Sequence, residues 1–484
     1  MRQPSFDIAA MKKATAKAPT WLHIGAGNIF RMFVAGLQQD LLEAGHTDKG
    51  IIVYESYDEE IIPVSFTPYE NKTLAVTLNA DGSVDKQVIA SVAGAFGVDL
   101  PRLCEIISKP SLQLISFTIT EKGYSVNEIA KSPDQAKTAM EQVTAGLYAR
   151  YKAGSPPLAL VAMDNFAENG TRIAQDVEKI AEAWYENDFL EYVKFQAYPW
   201  TMIDKITPQP SEVVAELLKK DGYAATQITK TAKNTTVASF VNAEKPQYLV
   251  IEDCFPNGRP PLEKAVGKGV FFTDRETVRR ADQMKVCACL NPLHTILGVC
   301  GTLLGYPTIA ACMKDSRLVG FINQAAQEAM PTVTNPGIIN PQEFLTEVVT
   351  QRFPNPFIPD TPERINQDVS QKIPVRFGET LKARAKAGLD IPGLEALPRF
   401  IAMWLRYRQA MDDKGNPMEL SVDPRIPETA KNINPNDLRP VLSDKSIFGV
   451  DLYEVGLAEK IAPIFEELVE PGSVNRLLTK WYGI

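Results

Sequence analysis

The sequence predicts an α/β protein in which an N-terminal, doubly wound parallel sheet precedes a C-terminal, mostly α-helical domain. Three observations carry this. Short apolar runs that read as buried strands alternate with helical stretches through the first part of the 484-residue chain, the pattern of strands covered on both faces. The first of these runs ends in a glycine turn that feeds a helix. From about residue 284 strand-like runs become rare, and long helical patterns alternate with proline-punctuated loops such as RFPNPFIPDTPE (352–363). A boundary near 280 then separates residues 1–282 from residues 283–484.

Taken in order, TWLHIGAG (20–27) is a buried strand running into Gly25-Ala26-Gly27. FVAGLQQDLLEAG (33–45) places apolar residues near helical spacing and stops on Gly45. GIIVYESY (50–57) is a second strand, and LQLISFTIT (112–120), PLALVAMDN (157–165) and YVKFQAYP (192–199) are expected as further buried strands. Residues 134–152 and 171–186 have the composition of helices. No internal repeat or low-complexity tract stands out.

Composition narrows the function classes. At 45% hydrophobic and 23% charged residues the chain can bury a large core and is not disordered. Its net charge of −8 argues against a polyanion-binding surface, so no nucleic-acid partner is expected. The first twenty residues hold no apolar run of signal-peptide length, which predicts a cytoplasmic protein. Four of six cysteines, at 287, 289, 300 and 312, lie in a strongly apolar stretch and are expected as reduced, buried thiols. Residues 286–313 carry no charged side chain and are long enough to cross a bilayer. Asn291, Pro292, His294 and Pro307 inside them favour a buried helix and turn, with no membrane partner.

A glycine turn between strand and helix is where the pyrophosphate of a dinucleotide sits, because glycines permit close backbone approach and the helix N-terminus offers amides. Gly25 and Gly27, with Asn28 and Ile29 entering the helix, are the candidate cofactor-binding residues of a Rossmann-like unit, although Phe30 stands where the full pattern has its third glycine. Glu55, at the end of the second strand, is placed to accept hydrogen bonds from ribose hydroxyls and to repel a 2′-phosphate, favouring NAD over NADP. Asp58 is the alternative acid.

Three histidines occur, at 23, 46 and 294, and His294 lies nine residues after Lys285 in the apolar stretch. A lysine against such a stretch is a candidate general base, since desolvation disfavours its charge. Asn291, between them, could donate to a carbonyl or alkoxide oxygen. The competing reading makes Lys285 a snorkelling side chain, Asn291 a helix cap and His294 a core residue. Tyr148 and Lys152 match a Y-x-x-x-K spacing but sit in a polar helix, and no Cys/His set suits a zinc site, so no metal is expected.

Seven ordered blocks then resemble one family, the polyol-specific long-chain dehydrogenases: LHIGAGNIFR (22–31), FTITEKGY (117–124), MDNFAENG (163–170), YPWTMIDKITP (198–208), VIEDCFPNGRPPLE (250–263), KVCACLNPLHT (285–295) and RINQDVSQK (364–372). The resemblance implies Lys285 as general acid/base, Asn165 and Asn291 as the hole that polarises the substrate oxygen, and His294 as a substrate-positioning group. It also implies substrate contacts from Asp204, Arg364 and Lys372, and metal-independent chemistry. The expected reaction is reversible hydride transfer between NAD(H) and a secondary alcohol of an open-chain, six-carbon polyol or aldonate. D-Mannonate and D-fructuronate are favoured because Arg364, Lys372 and Arg376 suit a carboxylate. Mannitol with fructose, and altronate with tagaturonate, are the alternatives, and a non-catalytic NAD-binding protein is the reading from a different class. A monomer or small homo-oligomer is expected. The family places its Asn and His five and eight residues after the Lys, against six and nine here. One added residue turns a helix by about 100°, so Lys285 reaches the same site only through a bulge or from ahead of the helix.

Overall fold

Trp21–Ile24 (β1), Ile51–Tyr54 (β2), Val92–Phe96 (β3), Leu114–Phe117 (β4) and Ala159–Ala162 (β5) form one sheet in the order β3-β2-β1-β4-β5, all neighbours parallel. Successive side chains of a strand face opposite ways and both faces are covered, which explains why these runs are almost wholly apolar, with His23 and Ser116 as buried polar exceptions. Trp21, Ile51, Val53, Leu114 and Val161 join one buried cluster with Phe30, Phe33, Leu37 and Leu41. Leu22, Ile24, Tyr54, Ile115, Phe117 and Leu160 join another with Leu103, Ile107, Met140 and Leu147. Ala35–Glu43 (α1), Leu100–Ser108 (α2) and Ala139–Lys152 (α3) supply partners among these, and Asn169–Trp184 (α4) adds Ile173 and Val177 to the second cluster. α3 opens on a capping box between Thr138 and Glu141. Strand order reverses between β1 and β4, the switch point at which doubly wound sheets bind ligands.

The computed structural model describes residues 1–265, 269–425, 433, 434 and 436–483, and it comprises two units, Met1–Arg279 and Arg280–Ile484. The first unit also holds three small sheets. One pairs residues 240–244, 73–78 and 84–89, a second pairs 270–273, 248–252 and 201–204, and a third is the antiparallel pair 228–230 and 236–238.

The strand expected at 192–199 is instead the end of a helix, Asn187–Lys194 (α5), followed by a single bridge from Ala197 to Ala159. Phe189 and Val193, four residues apart, are buried while Glu191 and Lys194 are solvated. Period 3.6 rather than 2 describes that segment.

Arg275–Met284 (α6), which runs across the boundary at residue 280, passes into a π-helical turn, Lys285–Cys289, and after a break at Leu290 (φ −133°, ψ −65°) into Asn291–Leu304 (α7). Residues 275–304 are long and apolar enough to cross a membrane by length and composition. They are broken at Leu290, however, and every α7 residue from Pro292 to Gly301 is buried. Shorter helices Pro362–Asn366 (α8) and Val369–Ile373 (α9), a second π turn at Pro374–Gly378, and Glu379–Lys386 (α10) follow. All six cysteines are free thiols, with Cys289, Cys300 and Cys312 buried.

Candidate active site

In the first unit the site residues gather at the carboxyl ends of the parallel strands. The Gly25 amide donates to the Tyr54 carbonyl (2.8 Å), joining the end of β1 to β2. Gly25 has φ +103°, and a Cβ there would stand 2.4 Å from the Thr118 carbonyl oxygen, so no other residue fits. Gly27 has open space around its α-carbon, and with Asn28 and Ile29 it lies half-buried where the helix starts. A close-packed glycine beside open backbone at a helix N-terminus fits the pyrophosphate of a dinucleotide.

Glu55 braces this turn. Its Oε2 accepts from the Ala26 amide at 2.7 Å, and its Oε1 from the amides of Tyr57 and Asp58 at 2.9 and 3.0 Å. A carboxylate has about four acceptor positions, so one remains for a ribose hydroxyl. Asp58 is buried and accepts from the Thr231 hydroxyl at 2.7 Å.

His23 and Arg31, from the same sequence block, support the turn. The His23 imidazole lies between the hydroxyls of Ser116 and Thr118 at 2.6 and 2.9 Å and stacks on Phe30 at 4.2 Å. Burial lowers its pKa to about 3, which keeps the ring neutral. Buried Arg31 donates to Thr73 Oγ1 and to the Ala238 carbonyl.

Past β5, half-buried Asp164 accepts from the amides of Ile119 and Thr120 (2.7 and 3.1 Å) and from the Tyr124 hydroxyl (2.8 Å), fixing the neighbouring loop. Burial pushes its carboxyl up, against those three donors. Asn165 follows it as an exposed residue. The Asn169 side chain at the start of α4 bonds Thr201 through both of its polar atoms. It thereby ties the Asn165 loop to Thr201–Asp204 (β6), whose last residue is the nearly buried Asp204. At Gly170 a Cβ would stand 2.3 Å from the Tyr198 carbonyl oxygen, so the glycine in MDNFAENG permits this close approach. Sequence reasoning missed Asp164 and Asn169; an acid and an amide just past a buried strand were the available signal.

In the second unit Lys285 is 1% exposed and opens the π turn, with the Leu290 amide bonding its carbonyl at 3.2 Å. A π turn holds one residue more than an α turn, so the one extra residue in the six-residue step from Lys285 to Asn291 is taken up as a bulge. Asp282, three residues earlier on the same helix, has its carboxyl raised by burial, with the Lys285 charge opposing that rise. D-x-x-K was visible in the sequence as a same-face pair and was overlooked.

Asn291 begins α7. Its carbonyl accepts from the Thr295 hydroxyl at 2.9 Å, and its half-buried side-chain amide has no partner among the described residues. His294, one turn on, places Nε2 3.0 Å from Asp360 Oδ2 and its ring 5.0 Å from Phe353. Burial lowers the imidazole pKa, with Asp360 opposing and Arg376 and Arg364 reinforcing. Asp360 also accepts from Arg364 Nε at 2.6 Å. Burial pushes the Asp360 carboxyl up, but His294 and Arg364 outweigh it and hold it low. Lys372 Nζ is 3.4 Å from the Ile365 carbonyl oxygen, and burial together with Arg376 pushes its pKa down to about 8. Asp360 is reached only through tertiary packing, and its local sequence gave no sign of it. Within this unit Lys285, Asn291 and His294 thus follow one another along one segment, while Asp360 links His294 to Arg364.

Tyr148 and Lys152 belong to an aromatic surface cluster: Lys152 Nζ is 5.1 Å from the Tyr148 ring centroid, and that ring stacks on Tyr185 at 4.0 Å. Among the described residues no group of three or more His, Cys, Asp or Glu is placed to hold a metal ion.

Comparison with known proteins sets this geometry in a family. The mannitol dehydrogenase Rossmann domain matches residues 19–264 and the mannitol dehydrogenase C-terminal domain matches residues 278–469. The chain belongs to the mannitol dehydrogenase family. It is thus an oxidoreductase by membership, and the doubly wound N-terminal unit and helical C-terminal unit are the fold of that family. The chain is 45% identical, over 100% of its length and 96% of the relative, to the D-mannonate oxidoreductase of Thermotoga maritima. It is 29% identical to the mannitol 2-dehydrogenase of Cereibacter sphaeroides, covering 85% and 84% of the two chains. In fold it is similar to a D-sorbitol dehydrogenase, with a TM-score of 0.81 at 23% identity over 98% of this chain and 96% of that one.

Proposed function

We propose that this dehydrogenase interconverts D-mannonate and D-fructuronate with NAD(H). The observation that carries the reading is the full-length similarity to a D-mannonate oxidoreductase, supported by the run of Lys285, Asn291 and His294 and the cations Arg364 and Lys372 in the second unit. NAD supplies the acceptor and donor of hydride. Gly25, Gly27, Asn28 and Ile29 hold its pyrophosphate, and Glu55 takes a ribose hydroxyl while bracing the turn, so that a 2′-phosphate is disfavoured.

In the oxidation direction the Lys285 amine takes the proton of the substrate hydroxyl. The side-chain amides of Asn165 and Asn291 donate to the oxygen as negative charge develops on it. Neutral His294 holds an adjacent hydroxyl, oriented by Asp360. Asp204 fixes the substrate near the reacting carbon, and Arg364 and Lys372 hold its far end. Most of the gain comes from positioning these groups. We infer a cytoplasmic enzyme whose small-molecule partners are the cofactor and a sugar acid.

The deciding experiment follows NADH oxidation with fructuronate, tagaturonate and fructose side by side, then with NADPH. Preference for fructuronate and NADH is expected. Preference for fructose would make the chain a mannitol 2-dehydrogenase like its 29% relatives, and NADH binding without turnover of any of the three would make it non-catalytic.

A further inference from the structure

Arg376 stands in the second π turn, Pro374–Gly378, which packs against the π turn of Lys285. The Thr380 hydroxyl donates to the Cys287 carbonyl at 2.9 Å across this contact. Arg376 Nη1 donates to Thr295 Oγ1 at 2.5 Å and, at 3.4 Å, to the Asn291 carbonyl. Both acceptors are neutral. A guanidinium has five N–H donors, and those on Nε and Nη2 have no partner among the described residues.

The contrast with other arginines is informative. Arg364 is matched by Asp360, and buried Arg150 spends its donors on four carbonyls. Arg376 has neither a carboxylate nor a full set of acceptors. Burial pushes its pKa down to about 10, and no acid opposes that fall. One turn earlier is Lys372, whose pKa the charge of Arg376 also depresses. For Lys372, Asp368 and Asp423 oppose the fall only in part, while Arg376 has no acid beside it among the described residues; a desolvated cation pair of this kind is costly, and a fork of free donors beside it suits a carboxylate.

We propose that Arg376 is a specificity-determining residue: its free Nε and Nη2 donors, with the Lys372 ammonium, receive the carboxylate of an open-chain sugar acid and so select it over a neutral polyol. This deepens the reading above and rests on it. Because Nη1 grips the first turn of α7, the same side chain fixes the anionic end of the substrate relative to Asn291.

The test compares wild type with Arg376→Met, Arg376→Lys and Thr295→Val. In Arg376→Met the ratio of kcat/KM for fructuronate to that for fructose should fall about 100-fold, the scale of a lost charge-assisted pair, with Arg376→Lys recovering part of it. Thr295→Val, which removes the anchor and keeps the charge, should leave the ratio unchanged. An equal loss on both substrates in Arg376→Met would overturn the proposal and make Arg376 a brace for Asn291. Calorimetry of D-mannonate and mannitol binding to the NADH complex separates this idea from the reaction assignment. Tight mannonate binding that Arg376→Met abolishes, without turnover in wild type, would sink the assignment and keep the anion site. Equal affinity for mannonate and mannitol would overturn the anion site.

Discussion

At the scale of single residues, the chemistry concentrates on side chains whose surroundings leave one role open. Lys285 is buried at the head of an apolar segment, where a lysine is rarely found unless it is paired, and the proposed mechanism makes it the general base. Lys285→Ala should lower kcat by about 10³-fold, the range of a lost general base, while the NADH dissociation constant measured by fluorescence stays within about twofold. Unchanged turnover would remove Lys285 from the mechanism. Gly25 gives the complementary case. Its φ of +103° and the 2.4 Å approach to the Thr118 carbonyl mean that Gly25→Ala meets both backbone strain and a clash with backbone. We expect a cost of about 2–3 kcal/mol, read as a lower melting temperature together with weakened NADH binding. A variant that melts and binds like wild type would show that the turn has room the geometry denies.

At the scale of elements, the π turn of Lys285–Cys289 explains how this chain carries one residue more between Lys285 and Asn291 than the family it resembles. The bulge confines the extra residue, so α6 and α7 need not rotate against each other. Removing Ala288 should therefore convert the turn to ordinary α-helix, with helical circular dichroism kept and kcat within about tenfold of wild type. Loss of folding or a collapse of kcat would mean that the bulge itself is required. The sequence already offered a bulge as one of two ways to keep Lys285 in place, but its location depended on contacts that spacing cannot show: Thr380 holding the Cys287 carbonyl, and Cys287 Sγ lying 3.4 Å from the Val375 carbonyl. The same limit runs through the fold. β1, β2, β4 and β5 were legible because burial on both faces makes them almost wholly apolar. The strand at 84–89, largely half-buried or exposed, lacked that mark, and α5 was misread because its buried Phe189 and Val193 sit among further apolar side chains. Of the candidate site, Lys285, Asn291 and His294 stood out in one short block. Asp360 did not, since it meets His294 only across 66 residues of chain.

At the scale of the whole molecule, two desolvated bases make stability rise with pH in two separate windows. His23 has a folded pKa of about 3 against 6.5 unfolded, so between those values the unfolded chain binds the proton and stability falls as pH drops. His23→Gln, able to bond both hydroxyls without titrating, should flatten that fall in urea unfolding at pH 5 and 7; an unaltered slope would assign the acid loss to other groups. Lys372 is also depressed, to about 8 from 10.5. The folded protein sheds this proton first, so its contribution to stability rises as pH climbs from 8 toward 10.5. Substrate binding runs the other way. A sugar acid needs the ammonium form, so kcat/KM for fructuronate should fall about tenfold per pH unit above 8, as expected when the required protonation state belongs to the free enzyme. Fructose, which brings no negative charge to Lys372, should show no such limb, and Lys372→Met should abolish the limb for fructuronate while lowering its plateau. A fructuronate profile that stays flat from pH 7 to 9.5 would show that Lys372 does not meet the carboxylate and would leave Arg376 to hold it alone.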